Sequence, residues 1–348
     1  MKFSSFLLAS ALLGAAACQQ HQNEVAPAPL ATATASATGS LGLVGDAADV
    51  SCTTAGGTVL MGGGPDVDAA IQWMITKSGG GDFLVLRATG TDAYNSYIYS
   101  LGGVNSCETL LINSRTLAND PEVEAKIRGA EAVFISGGNQ ANYVNFWKDT
   151  RVEDALNYLR NTKQCPIGGT SAGSAIEGSV YYSALNNSVT SAQALANPYN
   201  NDMTLGRNDF LNNPYLGNTV VDTHFDNPDR RGRLLTFMAR INKDNAVLAR
   251  GIGTDEQTAV CIEPNGTAKV FGTGLAFFMQ QNGSSNTPER CISGSSLDWY
   301  RAKQAVKVYK VPGTSTGTNT FNLSSWSGGT GGTNQYYYAD RGTFGVSY

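Results

Sequence analysis

Histidine is nearly missing from this chain. Two occur in 348 residues, and only His224 lies beyond the N-terminal forty. Chemistry that needs an imidazole therefore has one candidate, and a site built from several histidines is excluded. Charge is scarce as well, at 15% of residues with a net value of −4 and no runs of Lys or Arg. That excludes the clustered basic surface of a nucleic-acid binder. With Cys18 set aside as part of the N-terminal signal, no CxxC pair is present and no cysteine sits near a histidine in ligand spacing, so no metal and no cofactor are expected. Long apolar runs are absent after the first seventeen residues, and no segment of the remainder could cross a membrane as a helix.

The N-terminus carries the exception. Lys2 is followed by the apolar Phe6 to Leu13 and by Gly14-Ala15-Ala16-Ala17-Cys18, the pattern of an export signal over residues 1–18. A cysteine directly after small residues resembles a lipoprotein signal, with Cys18 as the lipidated first residue, although Ala15 stands where Leu is usual. Ordinary cleavage after Ala17 is the other reading. Residues 19–45 begin with an Ala-, Thr-, Ser- and Pro-rich stretch and are expected to be a tether, leaving 46–348 as the folded domain. The expected location is outside the cytoplasm, anchored by lipid at the cell envelope or else secreted or periplasmic. Without Cys18, five cysteines remain, which allows two disulfides at most.

The domain alternates strand and helix. Thr58–Gly62 reads as a strand, and Val67, Ala70, Ile71, Met74 and Ile75 recur at helical spacing until Gly79-Gly80-Gly81. Strands are then expected at 82–86, 109–112 and 132–136, with helices at 121–128 and 143–160. This pattern predicts an α/β domain with a mostly parallel sheet covered by helices on both faces, ligands binding beyond the strands' carboxyl ends. Three glycine turns fall there: Gly62-Gly63-Gly64, Gly137-Gly138 and Gly168-Gly169. A long polar loop is expected from 181 to 217, a strand at 219–222, a helix at 233–241, strands at 246–249 and 258–262 around a Gly251–Glu256 turn, and a β-rich C-terminal extension.

Gly169-Thr170-Ser171-Ala172-Gly173 is a serine flanked by glycines at a strand-to-helix switch, the pattern of a nucleophile elbow. A serine nucleophile needs a base, and His224, at the end of a predicted strand, is the one imidazole available. The third group is open among Asp222, Asp226, Asp255 and Glu256. Asp222 shares a face with His224 if the strand is extended through both. Backbone amides of Ala172 and Gly138 are the natural oxyanion donors.

Taken together, five ordered blocks resemble the cyanophycinase branch of the S51 serine peptidases, related to dipeptidase E. They are Gly62-Gly63-Gly64, Phe134 to Gln140, Gly168 to Ser174, Asp222-Thr223-His224-Phe225 with Arg230 and Arg233, and Gly251 to Ala259. The resemblance implies a class I glutamine amidotransferase-like fold and a serine exopeptidase that forms an acyl-enzyme on aspartyl peptides. In cyanophycinases the substrate is multi-L-arginyl-poly-L-aspartate, released as β-Asp-Arg dipeptides. Carried over, Ser171 is the nucleophile, His224 the base and Glu256 the orienting acid, with Gln140, Asp222, Arg230 and Arg233 contacting substrate. Thr223 and Pro228 depart from the family's glutamine and arginine, and no acid follows the elbow within 181–189. The implied partners are an aspartyl peptide or cyanophycin-like polymer, and the membrane only through the lipid, with a homodimer left open. Two other readings are an α/β-hydrolase esterase, whose acid would be Asp202 or Asp209, and a catalytically silent surface-binding lipoprotein.

Overall fold

The computed structural model describes residues 38–348, and the expected signal, Cys18 and most of the expected tether lie outside them. Two sheets organise the chain. The first has ten strands, and its five middle strands are parallel: Ser106–Leu111, Asp82–Arg87, Ala132–Ile135, Pro166–Thr170 and Gly57–Met61. Val59, Met61, Val85 and Phe134 bury one face of it under the helices Asp68–Lys77 and Ala93–Ser100. Leu84, Leu86, Ile135 and Ile167 bury the other under Pro121–Gly129, Gln140–Trp147 and Arg151–Tyr158. The α/β class is thus as the alternation predicts, and within this first sheet parallel pairing is limited to the helix-covered part. Beyond Gly57–Met61 the sheet continues antiparallel through Thr258–Ile262, Thr267–Gly272, Asn319–Asn322 and Gly329–Thr330.

The second sheet has eight strands and is mixed. Thr219–Thr223 and Arg250–Thr254 run parallel at its centre, and Leu275–Gln281, Val306–Pro312, Thr333–Asp340 and Thr343–Ser347 follow antiparallel. Leu60, Val260 and Val270 of the first sheet meet Val221, Ile252 and Phe278 of the second in one buried cluster. The helix Arg231–Asn245 covers the opposite face of the second sheet.

Four expectations change in detail. The strand placed at 246–249 is instead Arg250–Thr254, because its glycines serve close packing and not a turn. A Cβ at Gly253 would lie 2.6 Å from the Phe225 ring, and one at Gly251 would lie 3.0 Å from Met238 of the covering helix. The single helix expected over 143–160 is broken at Asp149, whose φ of +56° no right-handed helix accepts. The polar loop 181–217 holds a helix, Ser191–Ala196, with a Thr190/Gln193 capping box, and the strand Leu205–Arg207. Ser40–Gly45, the end of the expected tether, is an antiparallel edge strand on Ser106–Leu111.

Among the described residues no helix is long and apolar enough to cross a membrane, and all five cysteines are free thiols. The edge strand yields a measurable expectation. A chain that starts at Asp46 should melt a few degrees below one that starts at Thr38, reflecting roughly 1–3 kcal/mol of lost ladder and cover. Equal melting temperatures by calorimetry would make that strand energetically irrelevant.

Candidate active site

Ser171 follows the strand Pro166–Thr170 at its carboxyl end and precedes the four-residue helix Ala172–Ala175. Its φ of +50° and ψ of −117° lie outside the regions open to side-chain-bearing residues, a strain that persists only where the surroundings impose it. They do so here. Ser171 N–H donates to Met61 O at 3.0 Å and Ser174 Oγ donates to Gly169 O at 2.8 Å. A Cβ at Gly173 would lie 2.1 Å from Ile135 O, so only glycine lets the turn close against the neighbouring strand.

The second sheet supplies the partners. His224 ends Thr219–Thr223 and Glu256 lies just past the adjacent parallel strand Arg250–Thr254. His224 Nε2 lies 2.7 Å from Ser171 Oγ, and His224 Nδ1 lies 2.6 Å from Glu256 Oε1. Both side chains of the pair are about a quarter exposed, at 24% and 29%, so a substrate can reach the line while bulk water is partly excluded. The Gly62-Gly63-Gly64 turn holds them. His224 N–H donates to Gly62 O at 2.7 Å and Gln257 N–H to Gly63 O at 3.0 Å. A Cβ at Gly63 would sit 2.4 Å from the imidazole ring, and one at Gly64 would sit 3.2 Å from Glu256 Oε2. Sequence alone placed this turn on the rim without a task for it; its task is to leave room for the imidazole and carboxylate it braces.

The remaining acids are sorted by their partners. Asp226 accepts the Glu256 N–H through Oδ1, at 3.1 Å. Asp255 is buried, with Oδ2 accepting from Leu275 N–H at 3.0 Å, and burial with the neighbouring Asp226 pushes its carboxyl up to about 7. Asp209 accepts from Tyr181 OH and pairs with Lys148. Since the imidazole Nδ1 is taken by Glu256, the order of an α/β-hydrolase, with Asp202 or Asp209 as the acid, has no support here.

Asp222 and Arg233 depart from the expectation that they face substrate. They form a two-pronged ion pair, Arg233 Nε and Nη2 donating to Asp222 at 2.8 and 2.6 Å, with side chains only 4% and 5% exposed. The face shared by Asp222 and His224 requires a continuous strand, and the left-handed φ of +47° at His224 ends it. Arg231 is paired with Asp229. Arg230 differs: it is half-buried, gives one bond to Thr223 O at 2.8 Å, and keeps its Nε without a protein partner. Gln140 opens the helix Gln140–Trp147, beside the Gly137-Gly138 turn.

That turn lies against the serine, since a Cβ at Gly137 would be 3.4 Å from Ser171 Cβ. Tyr143, which sequence reading treated only as a helix residue, pins it by donating toward Ser136 O at 2.7 Å and Gly137 O at 3.1 Å. Gly138 N–H bonds to no backbone carbonyl among the described residues, and Ala172 N–H, the first amide of its helix, has no carbonyl within that helix to meet. Behind the elbow, Glu177 is fully buried and paired with Arg160 at 2.5 Å, a contact without a local sequence signal. Among the described residues no group of His, Cys, Asp and Glu is placed to hold a metal.

Strand-end elbow, imidazole and carboxylate in one hydrogen-bonded line define the geometry of a serine hydrolase. The sequence model of peptidase family S51 matches residues 67–270, more than half the chain, and the chain belongs to that family. It is similar to the cyanophycinase of Nostoc sp., 28% identical over 192 residues that cover 55% of this chain and 59% of the relative. It is also similar to the cyanophycinase of Geminocystis herdmanii, 26% identical over 196 residues covering 56% and 66%. The matched region thus spans less than two thirds of these relatives' lengths. A solved peptidase from an acI-B1 Actinobacterium aligns over 65% of this chain and 91% of its own, at 17% identity and a TM-score of 0.47.

Two outcomes follow from this geometry. Gly63→Ala should displace the imidazole and lower turnover about a hundredfold or more, and should also lower the melting temperature by a few degrees because alanine is strained at this residue's φ of +98°; unchanged turnover would show that the turn does not brace His224. Asp255 supplies a pH test. Its raised carboxyl means the folded state holds a proton that the unfolded chain loses from about pH 4, so stability falls as pH rises from 4 to 7 and then levels. Asp255→Asn should flatten that slope in urea titrations, by up to roughly 4 kcal/mol relative to wild type, and parallel profiles would contradict the assignment.

Proposed function

We propose that the chain is a serine exopeptidase that hydrolyses aspartyl-containing peptides, in the manner of the cyanophycinases it is similar to. The observation that carries this reading is the unbroken line from Glu256 through His224 to Ser171 at 2.6 and 2.7 Å. Ser171 Oγ attacks the scissile carbonyl while His224 Nε2 takes its proton, and Glu256 holds the ring and balances the imidazolium. The tetrahedral oxyanion meets the amides of Ala172 and Gly138. His224 then protonates the leaving amine, and water hydrolyses the acyl-enzyme by the same route.

Substrate selection falls to Arg230 and Gln140. Of the three arginines around the helix start, Arg231 and Arg233 are committed to carboxylates of this chain. Arg230, half-buried and bonded through its guanidinium to Thr223 O, is the one paired with no carboxylate among the described residues, which leaves its charge for a substrate carboxylate, as an aspartyl residue would present. The N-terminal pattern supports export with lipid anchoring at Cys18, which would hold this activity at the cell envelope.

The test is incubation of the purified chain with cyanophycin and with α- and β-aspartyl dipeptides, products read by mass spectrometry. Release of β-Asp-Arg dipeptides is expected, with Ser171→Ala reducing the rate by about 10³-fold or more and Glu256→Gln by about 10²-fold or more at unchanged fold. Turnover of no aspartyl substrate, or equal turnover by Ser171→Ala, would overturn the proposal.

A further inference from the structure

An oxyanion donor is effective only if it is aimed before the charge develops. Gly138 N–H belongs to a peptide unit with glycine on both sides, and the φ of +151° at Gly138 is a conformation that side chains oppose. Rotation about ψ of Gly137 and φ of Gly138 turns such a unit over with little steric hindrance. A carbonyl oxygen would then stand where the N–H was. Regular structure does not prevent this, because the strand Ala132–Ile135 ends before the unit and the helix Gln140–Trp147 starts after it.

Two buried hydroxyls hold it instead. Tyr143 shares its one phenolic proton between Ser136 O at 2.7 Å and Gly137 O at 3.1 Å, and Ser136 Oγ donates to the same Gly137 O at 3.2 Å. Both side chains belong to residues only 1% exposed. The two carbonyls flank the Gly137 Cα, so both peptide planes that meet there are fixed. The Gly137–Gly138 bond is trans, which points Gly137 O and Gly138 N–H in opposite directions. With the oxygen held inward on the phenol, the N–H is turned outward. Gly138 is exposed, and its N–H meets no backbone carbonyl among the described residues. The phenol is itself anchored. Trp147, one turn further along the helix, packs on its ring at 4.4 Å and donates Nε1–H to Ile112 O at 2.9 Å. Burial pushes the Tyr143 phenol up, so it stays a donor at neutral pH.

We propose that Tyr143 is a positioning residue for catalysis: its hydroxyl sets the direction of Gly138 N–H and so forms the oxyanion hole before substrate arrives, with Ser136 as a second donor to the same carbonyl. This rests on the serine peptidase reading and adds a residue to it. Gly138 N–H meets a charge that exists only once Ser171 has attacked, so a misaimed amide lowers kcat and leaves ground-state binding alone. Tyr143 has no hydrogen bond to His224, Glu256 or Arg230, so proton transfer and carboxylate binding do not depend on it.

The test compares the wild type with Tyr143→Phe, which keeps the ring, in cyanophycin hydrolysis and in phosphonylation by a fluorophosphonate. Tyr143→Phe should lower kcat about tenfold or more with KM within about twofold, leave both limbs of the pH profile of kcat/KM in place, and slow phosphonylation by a similar factor. The phosphonylation arm decides where cyanophycin is not the substrate. If Tyr143→Phe melts below the assay temperature, a crystal structure of the phosphonylated wild type decides instead: the phosphonyl oxygen should lie about 3 Å from Gly138 N, with Gly137 O still on the Tyr143 hydroxyl. Unchanged rates, a loss carried by KM, a shifted pH limb, or a phosphonyl oxygen away from Gly138 N would overturn the proposal while the peptidase reading stands. A wild type that neither releases dipeptides nor takes up the phosphonate would remove that reading, and the proposal with it.

Discussion

The contact between the Gly62-Gly63-Gly64 turn and the His224–Glu256 pair is the constraint on which the site depends. Ser171 belongs to the first sheet, whereas the imidazole and carboxylate belong to the second. They can meet only where the two sheets touch. The chain itself crosses there, leaving Arg250–Thr254 and entering Thr258–Ile262 within three residues, and Gly62 N–H bonds to Thr258 O at 2.9 Å. A turn without side chains lets that crossing lie directly beneath the imidazole. A Cβ at Gly63, 2.4 Å from the ring, would push His224 out of hydrogen-bond reach of Ser171.

Rigidity on both sides fixes the remaining geometry. Ser171 is strained, but the strand carrying it is buried across its whole length between two helical layers, and the cluster joining the sheets is apolar throughout. The buried Asp222–Arg233 pair then ties the strand before His224 to the helix after it. Two charges removed from water and satisfied mainly by each other favour one geometry, because breaking the pair leaves a buried charge unmet. Residues that resemble substrate ligands in sequence thus hold the segment carrying His224 in place.

Much of this was legible without coordinates. Ser171 is announced by its flanking glycines, and His224 by the scarcity of imidazole. Glu256 was separable from Asp222, Asp226 and Asp255 only through resemblance to a family, because four carboxylates near one histidine look alike until their hydrogen bonds are known. Resemblance to a family offered Asp222 as a substrate contact, and its burial against Arg233 has no signal in the sequence; the face it would share with His224 on an extended strand is lost because the left-handed backbone of His224 ends the strand. Glycines at 251 and 253 suggested a turn where they relieve packing inside a strand, since a missing side chain reads the same in both cases.

The central claim, that Ser171 is an activated nucleophile, is most directly tested by reacting the folded chain with a fluorophosphonate and mapping the adduct by peptide mass spectrometry. The account predicts one phosphonyl group per chain, on Ser171, formed rapidly in the wild type and slowed about a hundredfold or more by His224→Ala. Absence of an adduct on the folded protein, or an adduct on any other residue, would contradict it.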